Sequence, residues 1–320
     1  MKNAKREPGL NQRSSRGMSQ QFPDQFAAYQ DACNALGIAD YSRQIIHYTS
    51  VDVLESVLKS NEIWFGRLCD LNDTEECDHF LNGVIGQLPN LLTKAELTEV
   101  EALLPMLAPL VKYQTYVSSW CEYFDAEPEG HLNMWCRYAA SPTGVGLVVD
   151  SSQFQPSAIT AKTLGFHVMT AKVEYVRQEK AIDLANQYFR RMSNLGYMQR
   201  LLQEKLFVAI MLAAKAPCVK HQSFLEEKEM RFLFMPGLFN ALGQSHQVPT
   251  RTHSGREFFA LALKNYADFA LDLRIEKILK KVVIGPGRHQ QARQAAARQL
   301  LDRYGLQHVE TLLSDIPLAA

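Results

Sequence analysis

No stretch of this 320-residue chain supplies the ~20 consecutive apolar residues that a membrane helix needs. The first residues are basic but lack the apolar core of a secretory signal. Both absences predict a cytoplasmic protein with no membrane partner. An excess of one charge is lacking too: 34 Lys and Arg face 34 Asp and Glu, for a formal net charge of zero. Residues 1–20 carry +4 (Lys2, Lys5, Arg6, Arg13 and Arg16 against Glu7), which leaves −4 on the rest. Such a body advertises no nucleic-acid groove, although a local patch is compatible with it. Cysteine is sparse. Six are scattered over the chain with no CxxC pair, so they read as reduced thiols, and no zinc site is predicted. No internal repeat is visible.

What is present is an ordinary globular composition, 47% hydrophobic and 21% charged. Residues 1–22 are polar, have almost nothing to bury and predict a disordered tail. From residue 23 to 320, strand-like and helix-like segments interleave. Alternating or apolar runs near 114–120, 144–149, 165–176, 227–234, 258–263, 269–273, 280–284 and 307–311 predict strands. Helical patterns near 74–112 and 179–215 predict insertions between strands, and the segment 201–215 is the most apolar of all. The predicted class is α+β: a single domain, 23–320, with a mixed β-sheet core and those two helical insertions.

Residues 45–76 demand the most explanation. An apolar pair, Ile45-Ile46, ends abruptly in His47-Tyr48-Thr49. Val51, Leu54, Val57 and Leu58 then follow at helical spacing, with Thr49-x-x-Asp52 as a capping box. The helix is expected to stop near Ser60-Asn61, and Ile63-Trp64-Phe65 reads as a second strand. A histidine, a tyrosine and a hydroxyl therefore sit at a strand end, where side chains line clefts. Later, Met134, Trp135 and Tyr138 share a helix face. In the strand that follows, Met230, Phe232 and Phe234 point one way while Glu227, Glu229 and Arg231 point the other.

The blocks His47-Tyr48-Thr49, Asn72-Asp73-x-x-Glu76, Ser119 followed by Met134-Trp135-x-x-Tyr138-Ala139, and Lys220-His221-x-x-Phe224-x-x-Glu227-x-Glu229-x-Arg231 resemble a bacterial domain-of-unknown-function family, number 2971. The resemblance covers most of residues 44–286. That family in turn looks like the ADP-ribosyltransferase superfamily of the His-Tyr-Glu type. The resemblance implies an ADP-ribosyltransferase-like sheet in which the His-Tyr-Thr unit floors an NAD pocket. It implies that His47, with Tyr48, Thr49 and Ser119 beside it, holds the adenosine-side ribose. Tyr138 stacks on nicotinamide, and Glu227 or Glu229 is the catalytic carboxylate. NAD is then the substrate, a macromolecule (protein or nucleic acid) is the acceptor, and no metal is needed. A toxin or anti-phage effector would fit such an activity.

Each residue also has a plain explanation. His47 can cap a strand, Tyr138 can be core, and Ser118 and Ser119 can be strand-end hydroxyls. Glu227, Glu229 and Arg231 can form an ion-pair ladder with Lys220 across a wet sheet face. Two other functions stay open: a nucleotide-sensing module that has kept the pocket without chemistry, and a metal-dependent nuclease built on Asp70, Asp73 and Glu75. The nuclease requires those acids to meet Glu227 or Glu229 in space.

Overall fold

The computed structural model describes residues 44–71, 76–84, 94–139, 143–154, 168–193, 205–241, 249–267 and 271–318. The expected tail over 1–22 and residues Asp73 and Glu75 lie outside them. In chain order, β1 (Gln44–Thr49), α1 (Val51–Ser60) and β2 (Glu62–Arg67) precede two helices, α2 (Glu76–Val84) and α3 (Lys94–Gln114). Next come β3 (Tyr116–Glu122), α4 (Leu132–Tyr138), β4 (Val145–Asp150), β5 (Val168–Lys172) and β6 (Glu174–Val176). Helices α5 (Ala181–Ser193) and α6 (Lys205–Lys215) lead to β7 (Val219–His221), a 3-10 helix over Gln222–Glu227, and β8 (Glu229–Phe234). The chain continues with α7 (Pro236–Ala241), β9 (Thr250–His253), β10 (Arg256–Ala262), β11 (Asn265–Tyr266) and β12 (Leu271–Asp272). It ends with α8 (Ile275–Ile278), β13 (Leu279–Ile284), α9 (Gln290–Arg303) and β14 (Glu310–Leu313). The class is α+β, with a mixed sheet that does not close into a barrel.

β3 governs the sheet. Along one edge it pairs with β8 over almost its whole length, from Tyr116↔Phe234 to Cys121↔Glu229. Its other edge is shared. β2 takes Tyr116 and Val117, while β1 takes Cys121 and Glu122. Between these two partners the sheet splits, and residues 118–120 face the gap. Outward from β1 the order is β4, β13, β14; outward from β2 it is β10, β9; β5 continues beyond β8.

Alternation along the strands separates two faces. One face buries Ile45, Trp120, Phe65, Phe232 and Phe259 in a core that also receives Leu54 and Leu58 of α1 and Leu301 of α9. The other face carries Ile46, Tyr48, Cys121 and Val148 against Trp135 of α4. Further along that same face, Val117, Leu233 and Ala171 pack against α2, α3, α5 and α6. The two helical insertions therefore build one shared apolar cluster. Val208 through Lys215 of α6 are all buried within it, as the apolarity of that segment predicts.

Several boundaries differ from the sequence reading. The N-cap of α1 is Ser50, whose Oγ accepts from the Val53 amide at 3.2 Å. Thr49 cannot cap because it is still paired with Val145 in the β1–β4 ladder. A strand absent from that reading, β9, closes a hairpin onto β10. Glu227 is not on a strand at all. It ends the 3-10 helix, and Lys228 turns through the left-handed region (φ 43) before β8 begins at Glu229. The shared strand face expected of Glu227 and Glu229 is thus replaced by a turn that brings both carboxylates in by different routes.

Gly144 joins α4's end to β4 where no side chain fits. A Cβ there would lie 2.1 Å from the Thr49 carbonyl oxygen and 2.6 Å from that of Ala139. Both obstacles are backbone, so they cannot swing away. Gly144→Ala is expected to cost at least the ~1–3 kcal/mol typical of overpacking, seen as a lower urea midpoint at unchanged slope.

Candidate active site

The split beneath β1 and β2 opens into a cavity of about 380 Å³ on the face that carries Glu229 and Arg231. Glu227, Glu229, Tyr138, Ser119, His47 and Tyr48 all line it. Thr49 does not. It lies under the β1–β4 ladder and is 7% exposed. By strand alternation His47 belongs to the opposite face from Ser119 and Glu229. It reaches the same cavity because the sheet is interrupted there.

His47 bonds through Nδ1 to the Ser119 carbonyl, 2.9 Å away, at the edge that the split leaves without a strand partner. A carbonyl oxygen only accepts, so the Nδ1 proton is assigned by this bond. Burial lowers the imidazole's pKa against the smaller opposing effect of that hydrogen bond, so the ring is neutral near pH 7 and Nε2 is an acceptor. Its ring lies 5.0 Å from that of Trp120, whose indole N–H is already given to Ser118 Oγ.

Tyr48 is fixed by α4. Its hydroxyl accepts at 2.8 Å from the amide of His131, the N-cap residue of that helix. Its ring meets Trp135 edge-on at 4.7 Å. Gly130 (φ 75) leaves room for this, since a Cβ there would sit 2.7 Å from the Tyr48 oxygen. Burial pushes the Tyr48 phenol well up. The residue is an anchor for α4 as well as a lining residue.

α4 in turn carries Met134 and Trp135 into the core and leaves Tyr138 40% exposed at the cavity. The Tyr138 hydroxyl donates to Glu227 Oε1 at 2.9 Å. Burial, then the charge of Glu227, raises this phenol to about 12. Arg137 reaches the same oxygen at 3.3 Å.

Beneath Tyr138 lies a charge network that the ladder reading anticipated in its members but not in its burial. Lys220 Nζ bridges Glu227 Oε2 at 2.9 Å and Glu229 Oε2 at 2.8 Å. Arg231 forks onto Glu229, Nε to Oε1 at 2.8 Å and Nη2 to Oε2 at 3.1 Å. None of the four is more than 6% exposed. Two cations and two anions cancel, which is what makes their burial tolerable. Glu227 is the carboxylate toward the mouth, because its partners Tyr138 and Arg137 are partly exposed. Glu229 is the deeper one, because its fork partner Arg231 is fully buried.

The opposite wall is aromatic. Trp64 and Phe258, with ring centroids 5.5 Å apart, line the cavity over Gly66. Sequence reading took both only as strand residues, because nothing local says that β2 and β10 would turn this face to a cavity. Lys220 and Arg231 were legible as partners of the glutamates but not as the cavity's buried base. Asp70, by contrast, is held by Arg67 at 3.0 Å and does not line the cavity. Among the described residues no cluster of three His, Cys, Asp or Glu could hold a metal ion. No described helix is long and apolar enough to cross a membrane.

For Glu229, burial alone would raise the carboxyl, but Arg231 and Lys220 outweigh it and hold its pKa at about 2 against an ordinary 4.5. A carboxylate depressed on folding adds stability that is present above 4.5 and is lost as pH falls toward about 2. Glu229→Gln leaves the buried Arg231 without its carboxylate. It is expected to lower stability near neutrality by about 3–5 kcal/mol and to flatten the acid limb, measured by urea unfolding across pH.

No curated protein and no solved structure matches the chain. Residues 134–232, which include Tyr138 and the whole charged base of Lys220, Glu227, Glu229 and Arg231, match the family described as Protein of unknown function (DUF2971).

Proposed function

We propose that the cavity binds NAD and that the protein transfers its ADP-ribosyl group to a macromolecular acceptor, on an ADP-ribosyltransferase-like core. One observation carries the reading: His47, Tyr138 and both glutamates, matched to that superfamily by order and local structure, line a single cavity.

In this reading the nicotinamide ring lies against Tyr138, and Nε2 of His47 accepts from a ribose hydroxyl. The bond from C1′ of the ribose to the nicotinamide nitrogen breaks with its electron pair going to nicotinamide. Positive charge develops on the ribose ring. A fixed carboxylate stabilises that charge more than the same group would in water. Glu227 has this role, since it is the carboxylate toward the mouth. Glu229 holds Lys220 and Arg231 and so positions Glu227. The acceptor's nucleophile then bonds C1′ and gives up its proton.

A second reading is supported by a different observation: every carboxylate oxygen of the glutamate pair already meets a cation or a phenol. A fully compensated base suits a module that senses a nucleotide without cleaving it. The nuclease reading has no such support, because Asp70 is bound to Arg67 away from the cavity.

Nicotinamide release from NAD, in excess chelator, separates the readings. Glu227→Gln is expected to melt like the parent, since Lys220 retains Glu229, and to lose about 10²–10³ in rate. Heat of NAD binding without nicotinamide release supports the sensor. Neither heat nor release removes NAD from the account.

The neutral His47 sets a second expectation. Its pKa lies below the ordinary 6.5, so the Nε2 acceptor is fully present above that pH and is lost only as pH falls below it. NAD affinity should be flat above pH 6.5 and weaken on acidification. His47→Phe, titrated calorimetrically, should bind weakly and lose the acid dependence.

A further inference from the structure

The aromatic wall of the cavity does not stop at its rim. In the β2–β10–β9 ladder, Phe258 stands opposite both Gly66 and Arg251, Ala260 opposite Trp64, and Arg256 opposite His253. Residues directly opposite share a face, as do residues two apart on one strand. Trp64, Phe258, Arg251, His253 and Arg256 therefore all lie on the face that carries the cavity. The β9 residues and Arg256 are exposed, whereas Trp64 and Phe258 are half-buried and line the cavity.

This strip is organised. Trp64 donates its indole N–H to Glu62 Oε2 at 2.9 Å, and Arg251 holds the other oxygen of that carboxylate. The indole plane is thus fixed before any ligand arrives. The Phe258 ring lies against Gly66, 3.9 Å from where a Cβ would be. His253 continues the ring series at 6.1 Å from Trp64. An aromatic face followed outward by a guanidinium and an imidazole suits a planar heterocycle joined to a phosphate. The charge is complementary as well: Arg251 answers Glu62, which leaves Arg256 and the His253 imidazole to meet an anion.

We propose that this strip is the subsite for the phosphorylated-nucleoside end of the dinucleotide. Its purine base stacks on Trp64 and Phe258, and its phosphate lies between Arg256 and His253. The assignment rests on the NAD reading of the cavity. It divides the ligand: the nicotinamide half goes to the carboxylate end, and the adenylate half goes to the β9–β10 hairpin.

The test uses the full chain with four probes: AMP, adenosine, nicotinamide mononucleotide and a single-stranded DNA oligonucleotide. AMP is expected to bind more tightly than adenosine, and Arg256→Ala to remove that difference. Trp64→Ala and Phe258→Ala are expected to weaken AMP about 5- to 100-fold, the range of one lost stacking contact, and to weaken nicotinamide mononucleotide less. AMP should quench the fluorescence of Trp64, the half-buried one of the three tryptophans; Trp120 and Trp135 are buried. If Trp64→Ala fails to fold, the exposed Arg256→Ala still carries the test.

AMP affinity unchanged in properly melting Arg256→Ala and Phe258→Ala variants would overturn the subsite. So would an oligonucleotide that binds more tightly than AMP and is lost in the same variants, which would make the strip an acceptor groove for nucleic acid. Nicotinamide mononucleotide bound without AMP overturns the subsite and leaves the NAD reading of the cavity. AMP bound through Trp64 and Arg256, with no nicotinamide released from NAD, supports the subsite and removes the transferase.

Discussion

The shared edge of β3 is the constraint from which the rest follows. With β8 occupying the other edge, β1 and β2 must divide the remaining one, and they leave three residues of that edge without a strand. An unpaired carbonyl in that position is costly unless a donor reaches it. His47 supplies the donor for Ser119. The same hydrogen bond that heals the sheet fixes a neutral imidazole beside the split, and the cavity opens there.

Electrostatics then limits what the cavity can hold. Lys220, Arg231, Glu227 and Glu229 form a neutral, buried set. A ligand that brings charge must be met by groups outside that set, or must displace Tyr138 or Arg137 from Glu227. The two carboxylates differ for this reason in how firmly each is held. The one forked by Arg231 cannot be released without stranding a buried cation. The one bonded by a half-exposed phenol can exchange that partner at smaller cost.

Much of this was legible in the sequence, and unevenly so. Apolar runs and repeats locate β1, α1, β2 and β8, although β8 is buried along its whole length on both faces. Glu227 was misassigned because the 3-10 turn and the left-handed Lys228 carry no Gly or Asn to announce them. Thr49 and Ser50 offer the same capping hydroxyl in sequence, and only the pairing of Thr49 with Val145 decides between them. Trp64 and Phe258 were invisible as site residues, since they lie far apart in sequence and meet only through strand pairing. Local pattern encodes which face of an element is buried; it does not encode which buried face meets a gap in the sheet.

The central claim is that the cavity over the split takes NAD. A crystal structure of the protein with NAD tests it most directly. The account predicts the nicotinamide ring against Tyr138, its ribose within hydrogen-bonding distance of Glu227, the adenosine-side ribose at His47, and the adenine along Trp64 and Phe258. NAD bound elsewhere on the molecule, with the Tyr138–Glu227–Lys220 contacts intact and the cavity filled by solvent alone, would contradict it.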